Sequence, residues 1–125
     1  MGDWKVTEVD GNSDYYYNIE LDSVKVSKRL RRETNSKDLK FLLGILKSEF
    51  QNKHYIFSEL ELQDMSNNVV LLTSKYHVAE SEKVIEIDDG GKMSKAFFDF
   101  IAEDKLVLSF PIDGRILKLT FKKIQ

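Results

Sequence analysis

Cysteine is absent from this 125-residue chain, which removes disulfides, cysteine-ligated zinc and thiol nucleophiles together. That absence does not fix a compartment, because many periplasmic domains also lack disulfides. Histidine occurs only twice. His54 and His77 share no ligand spacing, and a catalytic zinc normally takes three protein ligands, so no metal site is expected. Long hydrophobic runs are missing as well. The longest mainly apolar stretch, around Leu39 to Leu46, is interrupted by Lys40 and Gly44 and falls far short of the roughly 20 residues that span a bilayer. Acidic and basic residues nearly balance, and a formal net charge of −2 provides no general attraction to nucleic acid or to anionic membrane. Neither a phosphate-cradling glycine loop nor a serine-centred nucleophile elbow occurs. Glu80, Glu82 and Glu86 are the nearest thing to an acid/base set, and all three read as solvent-facing. The chain is therefore expected to be non-enzymatic and to need no cofactor.

What is present is alternation. At 42% hydrophobic and 32% charged residues, the composition suits one globular domain spanning residues 1–125. Asp113-Gly114 separates two alternating apolar runs, the strongest short-range signal of a two-residue hairpin. Pairing outward from it sets Ile112 opposite Arg115, Phe110 opposite Leu117, Leu108 opposite Leu119 and Leu106 opposite Phe121. The large apolar residues then share one face, apart from Val107, Ile116 and Ile124, and a one-residue slip would destroy that segregation.

Toward the N-terminus, Trp4 and Val6 begin a short strand that ends at Asp10-Gly11-Asn12. Tyr15, Tyr17, Ile19 and Leu21 alternate with polar partners as a second strand, which Val24 and Val26 extend on the opposite face through a bulge. Residues 28–35 read as a polar loop. Asn35 or Ser36 then caps a helix carrying Leu39, Leu42, Leu43, Leu46 and Phe50 on one face. Gly44 marks either a close approach or a break in that helix. From Lys53 the period returns to two, with His54, Ile56, Ser58, Leu60 and Leu62 on one face. This stretch reads as about six strands, separated by turns at Ser66-Asn67-Asn68, Asp88-Asp89-Gly90-Gly91 and Ala102-Glu103-Asp104. The fold expected is mostly β: an antiparallel up-and-down β-barrel of about eight strands with one helical segment after the second strand.

Two segments carry a resemblance. Gly2-Asp3-Trp4 matches the G-x-W that opens the first strand of lipocalins and related small barrels. Asp104-Lys105-Leu106-Val107-Leu108-Ser109-Phe110, then Asp113-Gly114, then Leu117-Lys118-Leu119-Thr120-Phe121-Lys122-Lys123, resemble the closing strands of lipocalin-like (calycin-like) domains in secreted or lipid-anchored Bacteroidetes proteins. The likeness covers the first strand and roughly residues 84–124. The helix after the early strands is closer to fatty-acid-binding proteins. The resemblance implies a barrel that packs its tryptophan across a closed end and binds a small hydrophobic or amphipathic ligand inside. It also implies a periplasmic or outer-membrane-anchored location if the chain is a mature fragment, and a cytoplasmic one otherwise. Any membrane anchoring would come through an N-terminal lipid outside this sequence.

Within that frame Arg115 is the candidate anchor. Register puts it on the inner face beside the turn, and a guanidinium fork binds carboxylates bidentately. The plain alternative is a rim arginine paired with a nearby aspartate. Tyr15, Tyr17, Tyr76, Phe98 and Phe100 would line the cavity, or simply fill it. The basic run Lys25, Lys28, Arg29, Arg31 and Arg32 lacks interleaved stacking aromatics, so it reads as a solvated loop and not a nucleic-acid surface. Tyr16, Phe97 and Ile101 face outward, which leaves open a second function, a protein–protein interaction module with a filled barrel. Nothing in the pattern fixes the oligomeric state.

Overall fold

A computed structural model describes residues 2–124 of the chain. In chain order the elements are β1 (Gly2–Gly11), β2 (Tyr15–Asn18), β3 (Ser23–Val26), α1 (Lys28–Glu33), α2 (Ser36–Phe50), β4 (Lys53–Phe57), β5 (Glu61–Ser66), β6 (Val69–Ala79), β7 (Val84–Asp89), β8 (Lys92–Ala102), β9 (Lys105–Ile112) and β10 (Arg115–Lys123). Strands β4 to β10 form an antiparallel meander whose two ends both pair with β1, closing an eight-stranded barrel.

β1 closes the barrel by dividing one of its edges. Gly2 to Lys5 pair with β4, whereas Glu8 to Gly11 pair with β2, so the β2–β3 hairpin flanks the seam. A bulge between Val6 and Glu8 in the β1–β10 pairing adds one residue to β1. That extra residue lets Trp4, Val6, Val9 and Gly11 all meet inner-face partners on β10: Lys123, Phe121, Leu119 and Leu117. A bulge of this kind also sharpens the local twist that closure requires.

The β9–β10 hairpin has the register its sequence dictates, from Ile112 opposite Arg115 to Leu106 opposite Phe121. Asp113 and Gly114 both take positive φ, 49° and 77°, as a primed two-residue turn demands. Val6, Val9, Tyr17, Leu108, Leu119 and Phe121 are each 2% exposed or less. The middle of the barrel is therefore packed with side chains.

Four sequence expectations are corrected. Val24 and Val26 do not extend β2 through a bulge. The chain turns at residues 19–22, where the Asn18 side chain accepts from the Leu21 N–H, and returns as β3 with Val24 opposite Tyr17. The helical segment thus follows the third strand. Residues 28–33 are helical and not a loop: the Ser27 hydroxyl caps α1 by accepting from the Leu30 N–H, and Arg29 ties it to Asp14 at 2.7 Å. A six-residue helix without an apolar stripe offers no periodicity to read.

In α2, Asn35 is the cap, accepting from the Asp38 N–H at 2.8 Å, and the helix runs unbroken through an exposed Gly44 to bury Leu46 and Phe50. The phase of β4 is also opposite to that expected. Ser58 to Leu60 form a turn, so the inner face carries Lys53, Tyr55 and Phe57, while Leu60 is 74% exposed.

Candidate functional site

The fold distributes the six predicted ligand contacts over three places. Tyr76, Phe98 and Phe100 stand at the Trp4 end of the barrel. Tyr15 and Arg115 stand at the opposite, β9–β10-turn end. Tyr17 lies between them, fully buried, with its hydroxyl 3.4 Å from Asp22.

At the Trp4 end the inner faces of β1, β4, β6 and β8 converge to form an apolar cavity of about 100 Å³ walled by Trp4, Phe57, Tyr76, Phe98 and Phe100. Val78, Ile85 and Leu106 complete the wall. The rings fix one another in tilted or edge-on contacts: Trp4 to Phe100 at 6.0 Å, Phe98 to Phe100 at 6.0 Å, and Phe57 to Tyr76 at 5.4 Å. Such geometry is favourable for ring quadrupoles and adds to simple burial. The Tyr76 hydroxyl donates to the Ser58 carbonyl, which ties the β4–β5 turn to the rim, and burial raises its pKa above the usual phenol value. Phe100 remains 55% exposed and forms the mouth. Lys123, the cross-strand partner of Trp4, holds its ammonium 5.8 Å from the indole centre, a cation–π distance.

Ligand cavities commonly measure about 300–1,000 Å³. This one admits a single ring or a short branched chain, not an acyl chain running along the barrel axis. The middle of the barrel, where the resemblance implies a ligand, is filled by packed side chains.

At the other end a shallow groove of about 210 Å³ lies between Arg115, Tyr15, Asp14 and the apolar side chains of Ile112, Ile116 and Leu117. Arg115 has inner-face register, yet it sits beside the turn and is exposed. Asp14 is already engaged: Arg29 donates to both of its oxygens, and this hydrogen bonding, with the positive field of Arg29 and Arg115, holds its carboxyl below the usual carboxylate range. The Tyr15 ring packs directly over Gly11, in the space a Cβ would occupy. Burial raises the Tyr15 hydroxyl pKa, helped by the charges of Asp10 and Asp14.

One polar cluster was missed in the sequence. Lys53 is 3% exposed and donates to both carboxylate oxygens of Asp64 at 2.9 and 3.0 Å. Glu49, one turn back on α2, approaches to 3.6 Å. Beside them burial, then the charges of Asp64 and Glu49, push the Tyr55 hydroxyl far above its ordinary value. The only available signal was parity, Lys53 with Tyr55 and Phe57, and Asp64 with Leu62. Of the histidines, His54 is half-buried beside Asp3 at 3.1 Å, and His77 is exposed. Among the described residues no group of three or more His, Asp or Glu side chains is arranged to hold a metal ion.

The fold and its contents define a closed, side-chain-filled antiparallel β-barrel with a small aromatic pocket at one end. No family model matches the chain, and no curated protein matches it. Among solved structures it is similar to that of a DUF4847 family protein from Bacteroides vulgatus ATCC 8482, with a TM-score of 0.57 and 10% sequence identity over 97% of this chain and 91% of that one. At that identity the likeness is one of fold.

Proposed function

We propose that the chain is a lipocalin-like, non-enzymatic binding domain that takes a small apolar group into the aromatic pocket at the Trp4 end. The observation that carries this reading is the cavity of about 100 Å³ walled by five aromatic rings and opening past the half-exposed Phe100. The occupant is the apolar end of a larger molecule, or a compound about the size of one benzene ring. Desolvating such a group against rigid rings is favourable at about 25 cal/mol per Å². A ligand of so few atoms binds weakly, with Kd on the order of 0.1–1 mM. Arg115 is too far along the barrel to share this ligand and takes the role of a rim arginine over Asp14.

The test is a titration with indole and with benzyl alcohol, following the Trp4 indole N–H resonance. Saturable shifts are expected in the native protein. In Val78→Phe, which fills the cavity from its wall, those shifts should vanish while the fold is retained. Unchanged binding in the filled variant would overturn the assignment. The alternative reading, an interaction module working through its outer surface, is favoured by Phe97 and Ile101, which are 51% and 63% exposed.

A further inference from the structure

β6 is nearly twice as long as the neighbour that should cover it. β5 pairs with it from Val69 to Lys75. β7, on the other side, meets it only from Lys75 to Ala79. Among the described residues, Val69 to Ser74 therefore has no sheet partner on its β7 side, an overhang of about 20 Å at the usual rise per residue. Backbone donors and acceptors along such an edge point at solvent, ready to pair with another chain.

The side chains make this edge unlike an ordinary one. Val69, Val70, Leu71 and Leu72 are 59%, 45%, 58% and 44% exposed. Val70 and Leu72 share the phase of the inward-facing Tyr76, whereas Leu71 and Thr73 face outward, so the strand is apolar on both faces. Between Val69 and Ser74 there is no charge, proline or glycine, the residues that normally guard an edge. The contrast within the molecule is β3, whose free edge is four residues long, carries Lys25 and runs straight into α1.

We propose that this edge is the dimer interface of the protein: two copies pair β6 to β6, antiparallel, about a two-fold axis near Leu71. A strand paired antiparallel with its own copy satisfies the isologous rule without a second kind of surface. Six residues a side supply about six backbone hydrogen bonds and bring four exposed aliphatic side chains of each copy together. Charges agree with this partner. Antiparallel pairing carries the neutral Asn67-Asn68 tip of one copy to the Lys75 end of the other, where Lys75 already lies opposite Asp88 of its own β7. No like charges are forced together along the edge. The proposal is independent of the aromatic pocket, which lies at the other end of β6.

Sedimentation velocity from about 1 μM to about 1 mM, the range of weak interfaces, tests it. The expected result is a concentration-dependent rise from the 14.5 kDa chain to twice that mass. Leu71→Lys should remain at the single-chain mass throughout, with an unchanged far-ultraviolet spectrum. Because the chain has no cysteine, Leu71→Cys offers a second readout that leaves the edge apolar. It should form a disulfide-linked dimer under mild oxidation, and Ser48→Cys on the exposed face of α2 should not. A native protein that stays at one chain mass at every concentration overturns the proposal. A dimer that survives Leu71→Lys, or equal cross-linking at Ser48→Cys, does the same by placing the contact elsewhere. Val78→Phe should leave the dimerisation curve where it is, so pocket and edge fail or succeed separately.

Discussion

The β9–β10 and β4–β5 hairpins belong to one sheet and face one interior, yet they hold it together by different chemistry. In β9–β10 the inner face is a column of aliphatic and aromatic side chains, with Leu108 and Leu119 at its centre. In β4–β5 the corresponding places carry Lys53, Tyr55 and Asp64 beside Phe57 and Leu62. An aliphatic pair gains from every atom it removes from water, and loss of one partner leaves no unmet charge on the other. A buried ion pair gains only while both partners are present, because a lone ammonium or carboxylate there is left desolvated. The lesson is that inner-face position in this barrel does not imply apolar character.

Four variants test that contrast. The largest expected effect is Leu108→Ala, which removes a fully buried side chain from the aliphatic hairpin. It should cost about 4 kcal/mol in urea unfolding, and a cost below about 1 kcal/mol would mean the column is not tightly packed. Asp64→Ala should cost about 3 kcal/mol by stranding Lys53, with the approach of Glu49 limiting the loss. The decisive comparison is the double variant Lys53→Met with Asp64→Leu, which should recover to within about 1 kcal/mol of the native protein. If it is as unstable as the single variant, the two side chains do not act as a pair.

The smallest effect at neutral pH is that of Tyr55→Phe. The folded-state pKa of Tyr55 is raised by burial and by the charges of Asp64 and Glu49, whereas the unfolded phenol titrates near about 10. Stability linked to Tyr55 is therefore intact below about pH 10 and falls as pH climbs from there toward the folded value. Tyr55→Phe should leave stability at pH 7 almost unchanged and flatten this alkaline loss. Identical alkaline unfolding curves for the two proteins would show that Tyr55 is not held neutral by the fold.

The same contrast explains what could be read in advance. Asp113-Gly114 set between alternating apolar runs specifies turn type, register and inner face together, so β9 and β10 were legible residue by residue. Trp4 opposite Lys123 completes the closure that the length of the meander implied. The β4 phase differs from the expected one because the alternation runs on through Ser58, Glu59 and Leu60, which form a turn and not strand. α1 escaped notice since its order comes from the Ser27 cap and from an aspartate fourteen or more residues away. In α2, Gly44 is tolerated without a break because it lies on the exposed face, with Leu46 and Phe50 holding the other.

Of the candidate site, the aromatic identities were legible and their grouping was not. Tyr76, Phe98 and Phe100 meet at one rim, Tyr15 and Arg115 at the other, and Tyr17 is core, because strand order and stagger decide which inward residues become neighbours.

Read alone, the sequence settled local facts: the period and turn chemistry of the closing hairpin, the face on which each of its side chains stands, and the apolar stripe of α2. Those follow from interactions spanning a few residues, where a one-residue shift has an immediate cost. Only the tertiary structure decided that Lys53 could be buried, that the interior would be filled down to a pocket of about 100 Å³, and that β6 would outrun β7 and leave a bare edge. Those outcomes depend on how far one strand slides past another and on what arrives from α2 and β1, distances in space that no local pattern encodes.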